Sequence, residues 1–126
     1  MIVGTEWLIE ATGCDAARLR DETAIRGVLD AVIVDLGLKA VGSVWHTFPD
    51  AGGVTGMVAL TESHLACHTY PEHGTATFNL YCCKTRPEWD WNSRLRDMLG
   101  AANVSLTRIE RGEIEASSTA TAGGDA

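Results

Sequence analysis

The sequence predicts an α+β fold, a two-layer α/β sandwich in which a mainly antiparallel sheet carries two main helices on one face. The chain of 126 residues is the right length for one domain with one core. The element order predicted below is strand, helix, three or four strands, helix, strand. Because few strands are separated by helices, an antiparallel sheet with both helices on one face is the economical arrangement. The other face would then need a cover, and a second subunit is one solution.

The first half of the chain supplies a strand and a long helix. Residues 6–11 have the composition of a strand, and Asp15 can cap a short helical turn. A helix is predicted over residues 22–36, where apolar residues recur at helical spacing, and Gly37 is a natural stop. That apolar stripe comprises Ile25, Val28, Leu29, Val32, Ile33 and Leu36.

The second half is richer in strands. The predicted strands cover residues 39–48, 54–61, 64–70, 75–83 and 104–110. Thr85-Arg86-Pro87-Glu88 has capping-box spacing and predicts the start of a second helix, which Gly100 ends. The apolar face of that helix comprises Trp91, Leu95, Met98 and Leu99. We assign the domain to residues 1–115 and expect residues 116–126, which are small and polar, to form a disordered tail.

Charge and cysteine content exclude several classes of function. The net charge of −7 repels phosphate backbones and anionic lipid, so neither nucleic acid nor a membrane is an expected partner. The first ten residues lack the basic region of a signal peptide, and no apolar run is long enough to span a membrane, so we expect a cytoplasmic protein. The four cysteines form no CxxC pair, which favours reduced thiols and argues against a metal site.

Residues 61–74 concentrate the side chains that can carry chemistry. They include three of the four histidines, together with glutamate, serine, cysteine and tyrosine. If Ser63 belongs to the strand, alternation places it and His68 on opposite faces, whereas a Ser63 in the turn before the strand is not constrained in this way. No G-x-S-x-G elbow surrounds Ser63, so a hydrolytic triad is disfavoured. Cys83 ends the next predicted strand and could return to the same site across a hairpin. The residues alone therefore indicate a candidate site without fixing its reaction.

The motifs in and around this segment resemble those of one family. They are Gly53-Val54-Thr55-Gly56, Glu62-Ser63-His64-Leu65, His68-Thr69, Pro71-Glu72-His73-Gly74 and Tyr81-Cys82-Cys83. Together they closely resemble the self-cleavage and active-site segment of the prokaryotic S-adenosylmethionine decarboxylases, and the resemblance extends over roughly residues 4–112. It implies a two-layer α/β sandwich that dimerises through its sheets.

The resemblance also implies a proenzyme that cuts itself between Glu62 and Ser63. The Ser63 hydroxyl would attack the Glu62 carbonyl, and the resulting ester would break by β-elimination. The products would be chains 1–62 and 63–126, which stay associated, and Ser63 would become a covalent pyruvoyl cofactor. Such a ketone forms a Schiff base with the substrate amine and accepts the electrons that decarboxylation releases.

Residue roles follow from the same resemblance. His68 would be the base in processing, and Thr55, where serine is usual, would hold the ester. Cys83 would be the general acid in turnover. The substrate would be contacted by Glu72, which would orient it, and by Phe48 and Tyr70, which would stack on adenine.

Several residues depart from the family pattern. Glu6 stands where histidine is common, and Asn79 where aspartate is frequent. Tyr70 replaces a tryptophan or phenylalanine. Cys82 and Lys84 flank Cys83 where threonine and glycine are common.

Three functions remain open. The favoured one is S-adenosylmethionine decarboxylation for spermidine synthesis, because Phe48 and Tyr70 offer two rings for adenine. The second is a pyruvoyl-dependent L-ornithine or L-arginine decarboxylase, in which Asp50 would bind the cationic end of the substrate. The third is an unprocessed, non-catalytic homologue.

Overall fold

The computed structural model describes residues 1–112, which form one six-stranded antiparallel sheet and three helices. The elements in chain order are β1 (Gly4–Thr12), α1 (Ala16–Leu19), α2 (Glu22–Asp35), β2 (Ala40–Thr47), β3 (Val54–Leu60), β4 (Ser63–Tyr70), a 3₁₀ turn (Pro71–His73), β5 (Thr75–Cys82), α3 (Trp91–Leu99) and β6 (Asn103–Arg111). The strand order is β2-β3-β4-β5-β1-β6. The predicted α+β class is confirmed, while the end of the domain at residue 115 and the tail 116–126 lie outside the described residues.

Helices α1 and α2 begin at the positions that their capping residues dictate. Asp15 accepts a hydrogen bond from the backbone N–H of Ala17, and Asp21 accepts one from that of Thr23. The predicted apolar stripe of α2 faces the sheet, with Ile33 half-buried; its buried members are Ile25, Val28, Leu29, Val32 and the adjoining Leu36. Gly37 follows with a positive φ of +66°, as the sequence predicted.

The predicted start of the second main helix is wrong. Helix α3 begins at Trp91, after Asp90, whose carboxylate accepts from the Ser93 N–H at 3.2 Å. The preceding residues 83–90 are irregular, because they carry Trp89 back to α2, where its indole N–H donates to Asp35 at 2.8 Å. The Thr85 capping box therefore has no helix to cap.

The sheet has one covered face and one open face. The covered face lies against the helices and contributes buried side chains to the core: Trp7, Ile9, Val54, Val58, Leu65, Cys67, Phe78 and Leu80. We call the other side the open face; it carries Leu8, Glu10, Met57, His64, Ala66, His68, Thr77 and Asn79, which line a shallow cavity of about 430 Å³. Because the protein buries one face only, the alternation predicted for β4 is confirmed.

Thr69 ties the end of β4 to its surroundings. Its buried hydroxyl donates to the carbonyl of Leu19 at 2.8 Å and accepts from the N–H of Val54 at 2.9 Å. These bonds fix the end of α1 and the start of β3 against β4. Within residues 1–112, none of the helices is long and apolar enough to cross a membrane.

Candidate active site

The Glu62–Ser63 bond lies at the tip of the hairpin between β3 and β4. Leu60 and Ser63 are register partners, so Thr61 and Glu62 alone make the turn. The Cys83 N–H donates to the Glu62 carbonyl oxygen at 3.0 Å. The carbonyl that the resemblance marks for attack is therefore already polarised by a backbone donor.

Ser63 is half-buried at the start of β4, which pairs with β5. Its register partner on that strand is Cys82. Burial raises the pKa of Cys82, and burial raises that of Cys67 to about 12. Both thiols are therefore protonated near neutral pH, in keeping with small core residues. Cys83, just after β5, is exposed instead. We call Glu62, Ser63 and Cys83 the cleavage half-site.

His68 and Thr55 form a pair on the open face. They are register partners on β4 and β3, and Thr55 Oγ1 lies 3.1 Å from His68 Nδ1. This hydrogen bond orients the imidazole, and it leaves the other ring nitrogen, Nε2, to accept or donate a proton. The sequence could not establish this contact, since thirteen residues separate the two positions.

The three predicted substrate contacts line one cavity. This cavity, of about 260 Å³, is lined by Phe48, Asp50, Tyr70 and Glu72, together with Pro49, Ala51, Gly53 and Thr69. The Phe48 and Tyr70 rings are substantially exposed, as a stacking surface must be before its ligand arrives. We call Phe48, Tyr70 and Glu72, with the neighbouring pair Thr55–His68, the substrate half-site.

The structure does not bring the two half-sites together within one chain. His68 is five residues from Ser63 along an extended strand, a separation of about 17 Å. Tyr70 and Glu72 lie further still, beyond the far end of β4. One copy of the chain therefore presents each half-site at a different end of the sheet.

Two residues noted as departures from the family pattern contact each other. The Asn79 amide donates to Glu6 Oε2 at 2.6 Å, and Arg111 binds the other carboxylate oxygen at 2.7 Å. The bond from Asn79, helped by Arg111, lowers the pKa of Glu6. Sequence reasoning singled out both positions but had no means of pairing residues 73 positions apart.

No metal centre is formed by the residues that the structure describes. In residues 1–112, no three His, Cys, Asp or Glu side chains come close enough to hold an ion. The half-sites instead offer hydroxyls, carboxylates, an imidazole, an exposed thiol, two aromatic rings and a backbone donor.

The fold defines a two-layer α+β protein, and comparison with known proteins specifies its family. The sequence profile described as S-adenosylmethionine decarboxylase matches residues 5–112. The chain is 36% identical over 112 residues to the S-adenosylmethionine decarboxylase proenzyme of Prochlorococcus marinus (strain MIT 9313), covering 87% of this chain and 88% of that protein. It is 34% identical over 115 residues to the proenzyme of the same name from Acetivibrio thermocellus, covering 90% and 91%.

A solved structure agrees with these relatives. The crystal structure of the adenosylmethionine decarboxylase from Aquifex aeolicus VF5 superposes with a TM-score of 0.76 at 28% identity, covering 90% of this chain and 94% of that one. The chain belongs to the S-adenosylmethionine decarboxylase family.

Proposed function

We propose that this chain is a proenzyme that cuts its own Glu62–Ser63 bond, and that the processed protein decarboxylates S-adenosylmethionine for spermidine synthesis in the cytoplasm. The observation that carries the proposal is the hydrogen bond from the Cys83 N–H to the Glu62 carbonyl at the hairpin tip. Its family membership and the curated relatives named as proenzymes support the same reading.

Processing begins when the Ser63 hydroxyl attacks the Glu62 carbonyl carbon. Negative charge develops on the carbonyl oxygen, where the Cys83 N–H is already placed to stabilise it. The C–N bond breaks, the nitrogen takes a proton, and Glu62 is left as an ester on the Ser63 oxygen. A base then removes the Ser63 α-proton and the Cβ–O bond breaks, which releases Glu62 as a carboxylate. Water converts the remaining dehydroalanine into the pyruvoyl group and ammonia.

The base for that elimination is His68, and it must come from a second copy, because His68 of the same chain is about 17 Å away along β4. In a twofold dimer each contact occurs twice, so the substrate half-site of one copy meets the cleavage half-site of the other at two equivalent places. The open face supports this assembly, since it exposes Leu8 and Met57 around a shallow cavity. The predicted homodimer would thus complete the active site.

The residues present fit a pyruvoyl group at position 63. Ser63 provides the carbon skeleton of this group. Once the hairpin is cut, position 63 is the first residue of the downstream chain. The group supplies an electron sink for decarboxylation. Cys83, exposed beside the cut, holds the proton that the product carbon receives. The partner subunit's Phe48 and Tyr70 bind the adenine ring, and the partner subunit's Glu72 orients the substrate.

Asp50 supports a second class of substrate, the basic amino acids. Its carboxylate lines the same cavity as Phe48 and Tyr70, where it could pair with the cationic end of ornithine or arginine. Two exposed rings in that cavity favour the adenine-bearing substrate.

Two measurements test the proposed function. Intact-mass analysis should show two chains cut between residues 62 and 63, with a carbonyl on the downstream chain that reacts with a hydrazine, whereas Ser63→Ala should stay whole. A wild-type chain that remains intact after long incubation would refute the proposal and favour the non-catalytic homologue.

Carbon dioxide release from labelled S-adenosylmethionine, ornithine and arginine should then be compared on the processed protein. We expect carbon dioxide release from S-adenosylmethionine, and this activity should persist in Asp50→Ala. Phe48→Ala should have a higher Michaelis constant for S-adenosylmethionine, because a lost base–aromatic stack costs about 1–3 kcal/mol. Turnover of ornithine or arginine alone, abolished by Asp50→Ala, would establish the second class instead.

A further inference from the structure

Lys84 contacts the residue whose carbonyl is attacked. Its ammonium Nζ lies 3.2 Å from Glu62 Oε2, on the same turn where the Cys83 N–H binds the Glu62 carbonyl. A cation is therefore paired with the side chain of the residue at the point of cleavage.

Self-cleavage creates a charge problem at Glu62. The elimination step releases the α-carboxylate of Glu62, while the side chain of the same residue is already a carboxylate. Two like charges a few ångströms apart repel each other, and the repulsion grows as the Cβ–O bond breaks. An uncompensated Glu62 side chain would therefore raise the barrier to release of its own chain.

We propose that Lys84 compensates the Glu62 side-chain charge and so accelerates release of the upstream chain during self-processing. Lys84 is a positioning residue in this account, since it acts through the Glu62 carboxylate and does not touch the reacting atoms. The proposal rests on the proposed self-cleavage and assigns one residue's part in it.

The surroundings of Lys84 suit a newly formed carboxylate. Lys84 lines a cavity of about 260 Å³ with Arg86, Arg108 and Trp7. The Trp7 indole N–H is buried and finds no hydrogen-bond acceptor among residues 1–112. Arg108 pairs with Glu110, the acid of the cavity wall, at 3.4 Å. The ammonium that pairs with Glu62 thus borders a cavity lined by further cations.

The test is the rate of self-cleavage in purified full-length variants, followed by intact mass. Lys84→Gln should cut about fivefold more slowly than wild type, a modest effect because the ion pair is exposed. The ester should accumulate in this variant and be trapped by hydroxylamine, because the loss falls on elimination. Lys84→Arg should retain the wild-type rate. Lys39→Gln, which removes the chain's other lysine, is the matched control and should cut normally.

Two further results separate charge compensation from a structural role. Adding Glu62→Gln to Lys84→Gln should restore most of the rate, because the charge to be compensated is then absent. High salt should narrow the difference between wild type and Lys84→Gln, since screening replaces the missing cation.

A Lys84→Gln variant that cuts like wild type, or a double variant that is no faster than Lys84→Gln, would overturn this inference and leave self-cleavage intact. A wild type that never cuts would overturn both.

Discussion

At the scale of single residues, one hydrogen bond decides how the candidate base is held. His68 is exposed, and among residues 1–112 the Thr55 hydroxyl at 3.1 Å is the hydrogen-bond partner recorded for its ring. A free imidazole would sample several rotamers, whereas this contact fixes the ring plane and the nitrogen that faces outward.

Replacing Thr55 by valine should therefore slow self-cleavage. Valine keeps the shape of threonine but removes the hydroxyl, and we expect the cleavage rate to fall about tenfold, the cost of one hydrogen bond to a catalytic group. Time courses of intact mass measure this, with Thr55→Ser as the control that keeps the hydroxyl. An unchanged rate in Thr55→Val would show that the Thr55 hydroxyl has no part in processing.

The backbone N–H and the thiol of Cys83 have different proposed roles. Its N–H binds the Glu62 carbonyl, and alanine retains that donor, so Cys83→Ala should still be cut, even if more slowly. Its thiol is the proposed proton donor in turnover, so decarboxylation by the processed variant should fall by about two to four orders of magnitude. Processed Cys83→Ala that turns over substrate like wild type would exclude the thiol as the general acid.

Glu6 should make stability depend on pH. Its hydrogen bonds from Asn79 and Arg111 lower its pKa below the ordinary value of 4.5. A lowered pKa in the folded state contributes stability above pH 4.5, and that contribution is lost as the pH falls through the lowered value.

The corresponding test is Glu6→Gln, which should lower the free energy of unfolding at pH 7 by about 1–2 kcal/mol. The deficit should shrink below pH 4.5, where the wild-type carboxylate takes up its proton. Urea denaturation at several pH values measures the effect, and Glu10→Gln on the same strand is the control. If the loss of unfolding free energy in Glu6→Gln does not change with pH, it arises from packing and not from the charge of Glu6.

At the scale of elements, the sequence predicted strands and faces better than boundaries and distances. The alternation from Ser63 to Tyr70 correctly separated the buried Leu65 and Cys67 from the exposed His64 and His68, because one face is buried. The start of α3 was missed, because cap choice depends on where Trp89 anchors to Asp35, a tertiary contact.

The distances between the site residues were also left open by the sequence. Ser63 and His68 look adjacent in sequence, and the resemblance assigned them to one site with Phe48, Tyr70 and Glu72. An extended strand places them about 17 Å apart, which the residues alone did not reveal. The sequence thus singled out three residues that line one cavity, while their separation from the cleavage half-site emerged only from the fold.

The loop between β2 and β3 forms part of the proposed substrate cavity, and Gly53 allows this loop to lie close to β4. A Cβ on Gly53 would lie 2.6 Å from the Thr69 carbonyl oxygen, so alanine must push the loop away from β4. Since Phe48 donates its N–H to the Gly53 carbonyl, its ring would move too. Gly53→Ala should raise the Michaelis constant several-fold while self-cleavage persists. Gly42→Ala, whose Cβ would meet nothing within 4 Å, should leave the constant unchanged.

At the scale of the whole molecule, the open face and the divided site lead to the same expectation. The helices cover one side of the sheet, while the other side exposes Leu8 and Met57 and carries His68. A dimer through that face would bury the apolar surface and join the half-sites. Light scattering at micromolar concentration should give at least a dimer, and a stable monomer would contradict the composite site.

The central claim, a site shared between two copies, is tested most directly by complementation. The His68→Ala chain and the Ser63→Ala chain should be expressed together with different tags, and the mixed dimer should be isolated through both. In the mixed dimer, one composite site combines Ser63 of the first chain with His68 of the second. We predict that the His68→Ala chain, uncut on its own, is cut and gains a pyruvoyl group in the mixed dimer, while the Ser63→Ala chain stays whole. A mixed dimer in which neither chain is cut, or a His68→Ala chain that cuts fully alone, would contradict the account.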